Sequence, residues 1–430
     1  MKRIIKQVIR DFHLSNQFNV KPRDLKIPLK SKKIITLIGV RRCGKTSILY
    51  DTINQLTKSI AKEQILFLNF EDERLELNSS NLDLILEGYR ELYPYLDLSK
   101  CYFFFDEIQN IDGWERFVRR VYDTISQHIY ITGSNSKLLS QDIATSLRGR
   151  TISYEVYPLS FREYLNFLDI EIDFYSSKSL AYMQNALLNF LKEGAFPETI
   201  EEERRTQQKI LQEYFNVLVY KDLIERYKVQ NIVALKFFLK RLLAFTSKPI
   251  SINKIFNDLK SNGIKISKNS LYDYLEYSQN VFFALTLERY APKINLVEKK
   301  VYSIDIGLND ALIFNFSDNI GKSMENAVFL ELKREELEVY YYQDRNSECD
   351  FIVLDRGQVT HAIQVIYNME NDKTKKREIK GVVNACKKFG LSKGLIVSFE
   401  ERDSFEVDGI EIEILPLGEF LVEYKATPRK

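Results

Sequence analysis

Eight consecutive residues, Gly39-Val40-Arg41-Arg42-Cys43-Gly44-Lys45-Thr46, are of types that hold phosphate. The two glycines let main-chain N–H groups turn toward an anion. Lys45 supplies a point charge for β- and γ-oxygens, and the Thr46 hydroxyl suits Mg2+. Ser47 closes the cradle, and Arg41 and Arg42 add positive charge to it. Further along, FFFDEIQ delivers Asp106 and Glu107 from an apolar run. A carboxylate there completes a Mg2+ shell, and a second one orients or deprotonates an attacking water. ITGSN brings Ser134 and Asn135, either of which would sense a γ-phosphate or the lytic water. SLRGR brings Arg148 and Arg150, one of which would reach a γ-phosphate within the chain or across subunits. Glu71 and Asp72, in NFEDERL, are expected to face the same pocket, and one of them would pair with Arg41 or Arg42.

These residues need a scaffold that gathers them, and the apolar pattern supplies one. KKIITLIGV, QILFLNFEDERL, CYFFFDEIQN and HIYITGSNSK are short apolar runs that end in glycine, acids or small polar residues. Helical spacing separates them, in SILYDTINQL, NLDLILEGYRELY and WERFVRRVYDTI. Buried strands alternating with helices predict a parallel α/β sheet. Such sheets bind ligands at the C-terminal ends of their strands, where the polar residues here collect.

Beyond about 157 the period turns helical, interrupted at GAFPET. SINKIFNDLKSNGIKISKNSLYDYLEYSQN reads as helix, turn at Asn262–Gly263, and second helix. Strand-like alternation follows, and the sum fits a winged helix. From about 320 a helix, GKSMENAVFLELKR, leads into further strands and a basic helical stretch, a second α/β unit.

At 430 residues, about three domains are expected. A hydrophobic content of 45% with 28% charged residues excludes a disordered chain. The net charge of +2 excludes a global basic field, so any nucleic-acid contact must be local. Cys43, Cys101, Cys349 and Cys386 lie far apart with no CxxC pair, which predicts neither a zinc site nor a disulfide framework and points to the cytoplasm. No apolar run approaches the roughly 18–20 residues that cross a bilayer, so no membrane partner is expected.

GVRRCGKT, NFEDERL, FFFDEIQ, ITGSN and LRGR before VYPLSFREY together resemble one family of AAA-type P-loop ATPases widespread in archaea and bacteria. GAFPE, YKDLIER, SKNSLYDYLEY and GKSMENAVFLELKR extend the resemblance over essentially the whole chain. It implies an AAA-type ATPase core over 1–157, a helical lid over 158–245, a winged helix over 246–300 and a restriction-endonuclease-like, resolvase-like mixed α/β domain over 301–430. ATP and Mg2+ are the implied cofactors.

Such a nuclease domain needs a helix acid, a strand acid and an [E/Q]-x-K on the next strand. Glu325, Asp350 and Gln364 match the first three positions, but Ile366 stands in the lysine slot. Lys375, Lys376 or Arg377 would have to replace it, and Glu378 adds a carboxylate. The expectation is a folded domain with weak or absent cleavage.

Lys254, Lys260, Lys265 and Lys268 surround the second helix of the winged-helix segment, with Tyr272, Tyr274 and Tyr277 interleaved. Basic residues beside aromatics suit duplex or branched DNA. Tyrosines at helical spacing equally suit a core, and winged helices also bind proteins. The expected function is a Mg2+-dependent ATPase that couples nucleotide state to DNA, with a homo-oligomer among the expected partners. The rival classes are a signalling switch with a protein partner and an ATP-gated nuclease.

Overall fold

The structure, a computed structural model, describes residues 1–134, 146–291, 299–313, 320–345, 347–367, 369–370 and 372–424. The chain forms two compact units, Met1–Val156 with Asn280–Phe282, and Tyr157–Gln279 with Phe283–Lys430.

The first unit is built on five parallel strands: β1 (Ile34–Ile38), β2 (Ile65–Asn69), β3 (Tyr102–Asp106), β4 (Ile129–Gly133) and β5 (Thr151–Glu155). Their order in the sheet is β2-β3-β4-β1-β5. Every residue of β1, β3 and β4 is buried, as a strand covered on both faces requires. The helices are α1 (Lys2–Leu14), α2 (Lys45–Leu56), α3 (Asp83–Leu92) and α4 (Trp114–Thr124). α1 lies along α3, with Lys2 paired to Glu87 and Glu91. The strand order decides the chemistry. β4 lies between β1 and β3, so the end of β4 sits between the phosphate loop after β1 and the acids that end β3.

The second unit begins with helices: α5 (Phe161–Phe167), α6 (Ser177–Glu193), α7 (Arg204–Val217) and α8 (Ile232–Ala244). α7 runs into a π-helical stretch, Leu218–Glu225. The hydrophobic spacing of YKDLIER reads as ordinary helix because one added residue per turn leaves an apolar stripe legible. The segment GAFPET is pinned by Asp305, whose carboxylate accepts from the Ala195 amide at 2.7 Å and the Gly307 amide at 2.8 Å.

A three-stranded antiparallel sheet follows, ordered β6-β8-β7, from β6 (Lys248–Pro249), β7 (Ala284–Glu288) and β8 (Lys299–Ser303). Between β6 and β7 come α9 (Ile252–Ser261) and α10 (Lys268–Asn280), joined through the turn at Gly263. Next are α11 (Ile306–Leu312) and α12 (Ile320–Arg334). The C-terminal sheet has six mixed strands ordered β13-β14-β12-β11-β10-β9. They are β9 (Glu338–Gln343), β10 (Glu348–Asp355), β11 (Gln358–Ile366), β12 (Lys393–Ser398), β13 (Asp403–Val407) and β14 (Ile410–Pro416). α13 (Asp372–Phe389) packs Val382, Val383, Ala385 and Cys386 into a core with Cys349, Ile352 and Ile396. α14 (Leu417–Glu423) closes the unit. No described helix is long and apolar enough to cross a membrane.

Candidate active site

The loop between β1 and α2 is shaped by its glycines. A Cβ on Gly39 would lie 2.1 Å from the Val156 carbonyl oxygen. Gly44 caps α2 at φ 101°, a left-handed conformation that side chains resist. Arg23, buried, donates to the Cys43 carbonyl at 2.7 Å and braces the loop from outside. Arg41 pairs with Glu71 at 2.5 Å, so one of the two expected acids does reach the loop. Asp72 turns instead to Arg74. Arg42 is exposed at φ 64°.

Lys45 is buried and folded back over its own loop. It donates to the carbonyls of Gly39 and Val40, each at 3.1 Å, and pairs with Glu107 at 3.3 Å. Thr46 donates to Asp106 Oδ2 at 2.9 Å. The other carboxylate oxygen, Asp106 Oδ1, accepts from Thr132 at 2.5 Å, and Thr132 accepts from the Glu107 amide at 2.8 Å. Gln109 donates to Glu107 at 2.5 Å and to Ser134 at 3.4 Å. Glu107 holds φ 51°, a left-handed conformation that costs a non-glycine residue roughly 1–3 kcal/mol and recurs at functional sites.

The electrostatics separate the two acids. Burial pushes Asp106 up to about 6, with the Glu107 charge adding and the threonine hydroxyls and Lys45 opposing. Burial would raise Glu107 too, but Lys45, Gln109 and Arg41 outweigh it and hold that carboxyl below its ordinary value. Burial likewise opposes the Lys45 charge, yet Glu107, Cys43 and Asp106 keep the ammonium's pKa raised. The donor set of Thr46 hydroxyl and Asp106 carboxylate, converged within hydrogen-bond distance, fits Mg2+, which takes hard oxygens. Gln109 Oε1 is buried without a hydrogen-bond partner, an acceptor free for a water beside Glu107.

Thr132, Gln109 and Arg23 were missed by reasoning from the sequence. Thr132 lies two residues before Ser134, and only the strand order shows that it faces Asp106. Asn135 lies outside the described residues. Arg148 is exposed, at φ 50°. Arg150 binds Asp123 at 2.8 Å, and its carbonyl accepts from the Ile34 amide. That places it at the start of β1, the sheet end opposite the phosphate loop, so in its own chain it does not reach a γ-phosphate.

The second unit gathers a different cluster. Glu325 comes from α12, Glu348 and Asp350 from β10, Gln364 from β11 and Glu378 from α13. Gln364 donates to Asp350 at 2.8 Å and to Glu378 at 2.6 Å, and the Val365 amide donates to Asp350 at 3.1 Å. Into this cluster β8 delivers Lys300. Its ammonium lies 2.7 Å from Glu348, 3.0 Å from Asp350 and 3.1 Å from Glu325. Tyr302, on the same face of β8, donates to Glu325 at 2.8 Å.

The lysine that meets these acids thus comes from β8, and not from the helix after Ile366 as the sequence suggests. Ile366 is buried in the core, Lys375 is half-buried and Lys376 exposed, neither pairing with these acids among the described residues, and Arg377 pairs with Glu378. Burial pushes Glu325 up to about 8, Asp350 adds to that, and Lys300 and Tyr302 oppose it. Burial would lower Lys300, but Asp350 leads the surrounding groups in raising its pKa well above the ordinary lysine value.

Comparison with known proteins agrees with the first unit's geometry. Residues 31–165 match the family described as AAA domain, residues 184–319 a domain of unknown function (DUF8612), and residues 320–420 another (DUF4143). A protein of Haemophilus influenzae, described as uncharacterized, is 28% identical over 391 residues, 90% of this chain and 94% of that one. AMPPCP-bound DnaA from Aquifex aeolicus shares 15% identity over 64% of this chain and 86% of that chain. Its TM-score of 0.24 is too low to bear on the fold. The uncharacterized protein MJ1544 of Methanocaldococcus jannaschii is 36% identical over 439 residues, 98% of this chain and 96% of that protein. With a nucleotide-binding AAA domain at its head and such similarity along nearly both whole lengths, the chain belongs to the family of MJ1544.

Proposed function

We propose that this protein is a Mg2+-dependent ATPase that couples nucleotide state to DNA binding or remodelling through winged-helix and nuclease-like modules of its second unit. The observation that carries the ATPase reading is the Lys45–Glu107 pair beside Thr46 and Asp106. Lys45 is held by two neutral carbonyls and one acid, so a triphosphate would draw the ammonium away and free Glu107 toward water. Thr46 and Asp106 would hold Mg2+, whose role is to neutralise charge on the β- and γ-oxygens. Gln109 and Ser134 would fix the water that Glu107 activates.

The DNA reading rests on α9 and α10. Lys254, Lys260, Lys265 and Lys268 are all exposed there. Tyr272 is exposed beside them, whereas Tyr274 belongs to the core and Tyr277 stacks on Tyr227. The test is steady-state ATP turnover with single-stranded, duplex and branched DNA, together with binding across a salt series. Replacing Lys265 and Lys268 by Glu should weaken binding to every sequence alike and flatten the log–log salt slope by about 0.9 per lost phosphate contact. An unchanged slope moves the DNA site off this helix. Nucleotide-dependent assembly with no response to DNA favours the signalling switch.

A further inference from the structure

The resemblance implies a metal in the C-terminal acid cluster, and the residues present do not fit one. A divalent cation at such a site needs carboxylate oxygens free to close on it, at about 2.0–2.1 Å for Mg2+. Here one oxygen of each acid, Glu325 Oε1, Glu348 Oε1 and Asp350 Oδ1, is already turned onto an ammonium. Lys300 has three ammonium donors, and three carboxylates stand within ion-pair distance of it. The remaining Asp350 oxygen accepts from Gln364 and the Val365 amide, and Glu325 also accepts from Tyr302. Among the described residues no group of His, Cys, Asp and Glu is placed to hold a metal ion. The Lys300 side chain is 2% exposed, so it is not a mobile surface lysine that solvent could displace.

We propose that the Lys300 ammonium is the resident cation of this cluster, standing in the space that Glu325, Glu348 and Asp350 enclose, so that the domain holds its acids together without metal. Removing the ammonium opens a divalent-cation site made of the same three carboxylates. This inference is independent of the ATPase reading, since none of these residues belongs to the first unit.

Charge bookkeeping supports it. A buried carboxylate group left unpaired is strongly unfavourable, and a buried ammonium needs anions as much as they need it. A metal entering beside Lys300 would meet a positive charge already bonded to each of its would-be ligands. The neutral Gln364 amide and the Val365 N–H supply further partial positive charge to Asp350, which leaves less call for a dication.

The experiment uses nucleotide-free full-length protein, freed of metal by chelation, with Mn2+ titrated and free Mn2+ read by electron paramagnetic resonance. Wild type and Asp350→Asn should take up the same amount of Mn2+, and the wild-type melting temperature should be indifferent to chelator or Mn2+. Lys300→Met should melt lower, bind one more equivalent of Mn2+ than wild type, and recover thermal stability as it does so. Adding Asp350→Asn to Lys300→Met should remove that equivalent. Mn2+ uptake by wild type that Asp350→Asn loses would overturn the proposal. So would cleavage of plasmid or branched DNA by wild type, in Mg2+ or Mn2+, that Asp350→Asn loses. A folded Lys300→Met that binds no extra Mn2+ also overturns it. Should Lys300→Met not fold, the comparison of wild type with Asp350→Asn decides alone.

Discussion

Two lysines of this protein are buried to nearly the same degree, Lys45 at 4% exposure and Lys300 at 2%, and both face carboxylates. Their partners differ. Lys45 touches two main-chain carbonyls and one acid, Lys300 three acids. A neutral carbonyl is easily given up for a phosphate oxygen, so the charge of Lys45 is available to an incoming anion. An anion approaching Lys300 would meet a ring of acids first. Burial alone therefore does not mark a lysine as functional; what matters is whether its partners can be exchanged.

The comparison breaks most visibly at Lys45. Lys45→Ala should lower ATP turnover on the order of 10³-fold or more and weaken nucleotide binding, whereas Lys300→Met should leave the turnover of folded protein near wild type. Steady-state phosphate release reads both, and hydrolysis that survives Lys45→Ala would move the nucleotide site away from this loop. Glu107→Gln comes next. It keeps the hydrogen bond to Gln109 and removes the base, so hydrolysis should slow roughly 10²–10⁴-fold while ATP binding persists. Single-turnover hydrolysis beside equilibrium binding separates the two, and normal turnover in this variant would assign water activation to another group.

The smallest effect is on the pH dependence of stability. Glu325, facing Lys300, Tyr302, Asp350 and Lys322, is pushed up to about 8 from the ordinary 4.5. The folded state therefore holds a proton that the unfolded chain has released across that window. Its contribution is complete below the unfolded value and is lost as pH rises through about 8, at less than about 1.4 kcal/mol per pH unit. Glu325→Gln, permanently neutral, should flatten the fall in melting temperature of the second unit between about pH 5 and about pH 9. An unaltered slope would mean that Glu325 is ionised throughout.

What the sequence disclosed follows the range of each interaction. Four core strands and the phosphate loop are readable because short runs dominated by apolar residues, or two glycines and a lysine, are local signals. β5 escaped because it is half exposed, with no buried run to announce it. Glu71 against Arg41 followed from both lying past the C-terminal ends of parallel strands. Thr132 needed the knowledge that β4 runs between β1 and β3. Lys300 was the least legible. It sits 25 residues before Glu325 and 50 before Asp350, in a strand of another sheet, and nothing in KKVYS announces acids so far downstream. Its one local trace is alternation, which puts Lys300 and Tyr302 on the same face.

The position of Lys300 also bears on how this chain can be divided or recombined. The boundary between the second and third matched domains falls at 319/320, with the lysine on one side and its carboxylates on the other. A fragment starting at 320 inherits the negative charges and leaves their counter-charge behind. A chimera that joins this C-terminal domain to a relative's preceding domain would inherit the same deficit unless that domain brings its own ammonium to the equivalent strand. By charge, then, the two domains form a single heritable unit.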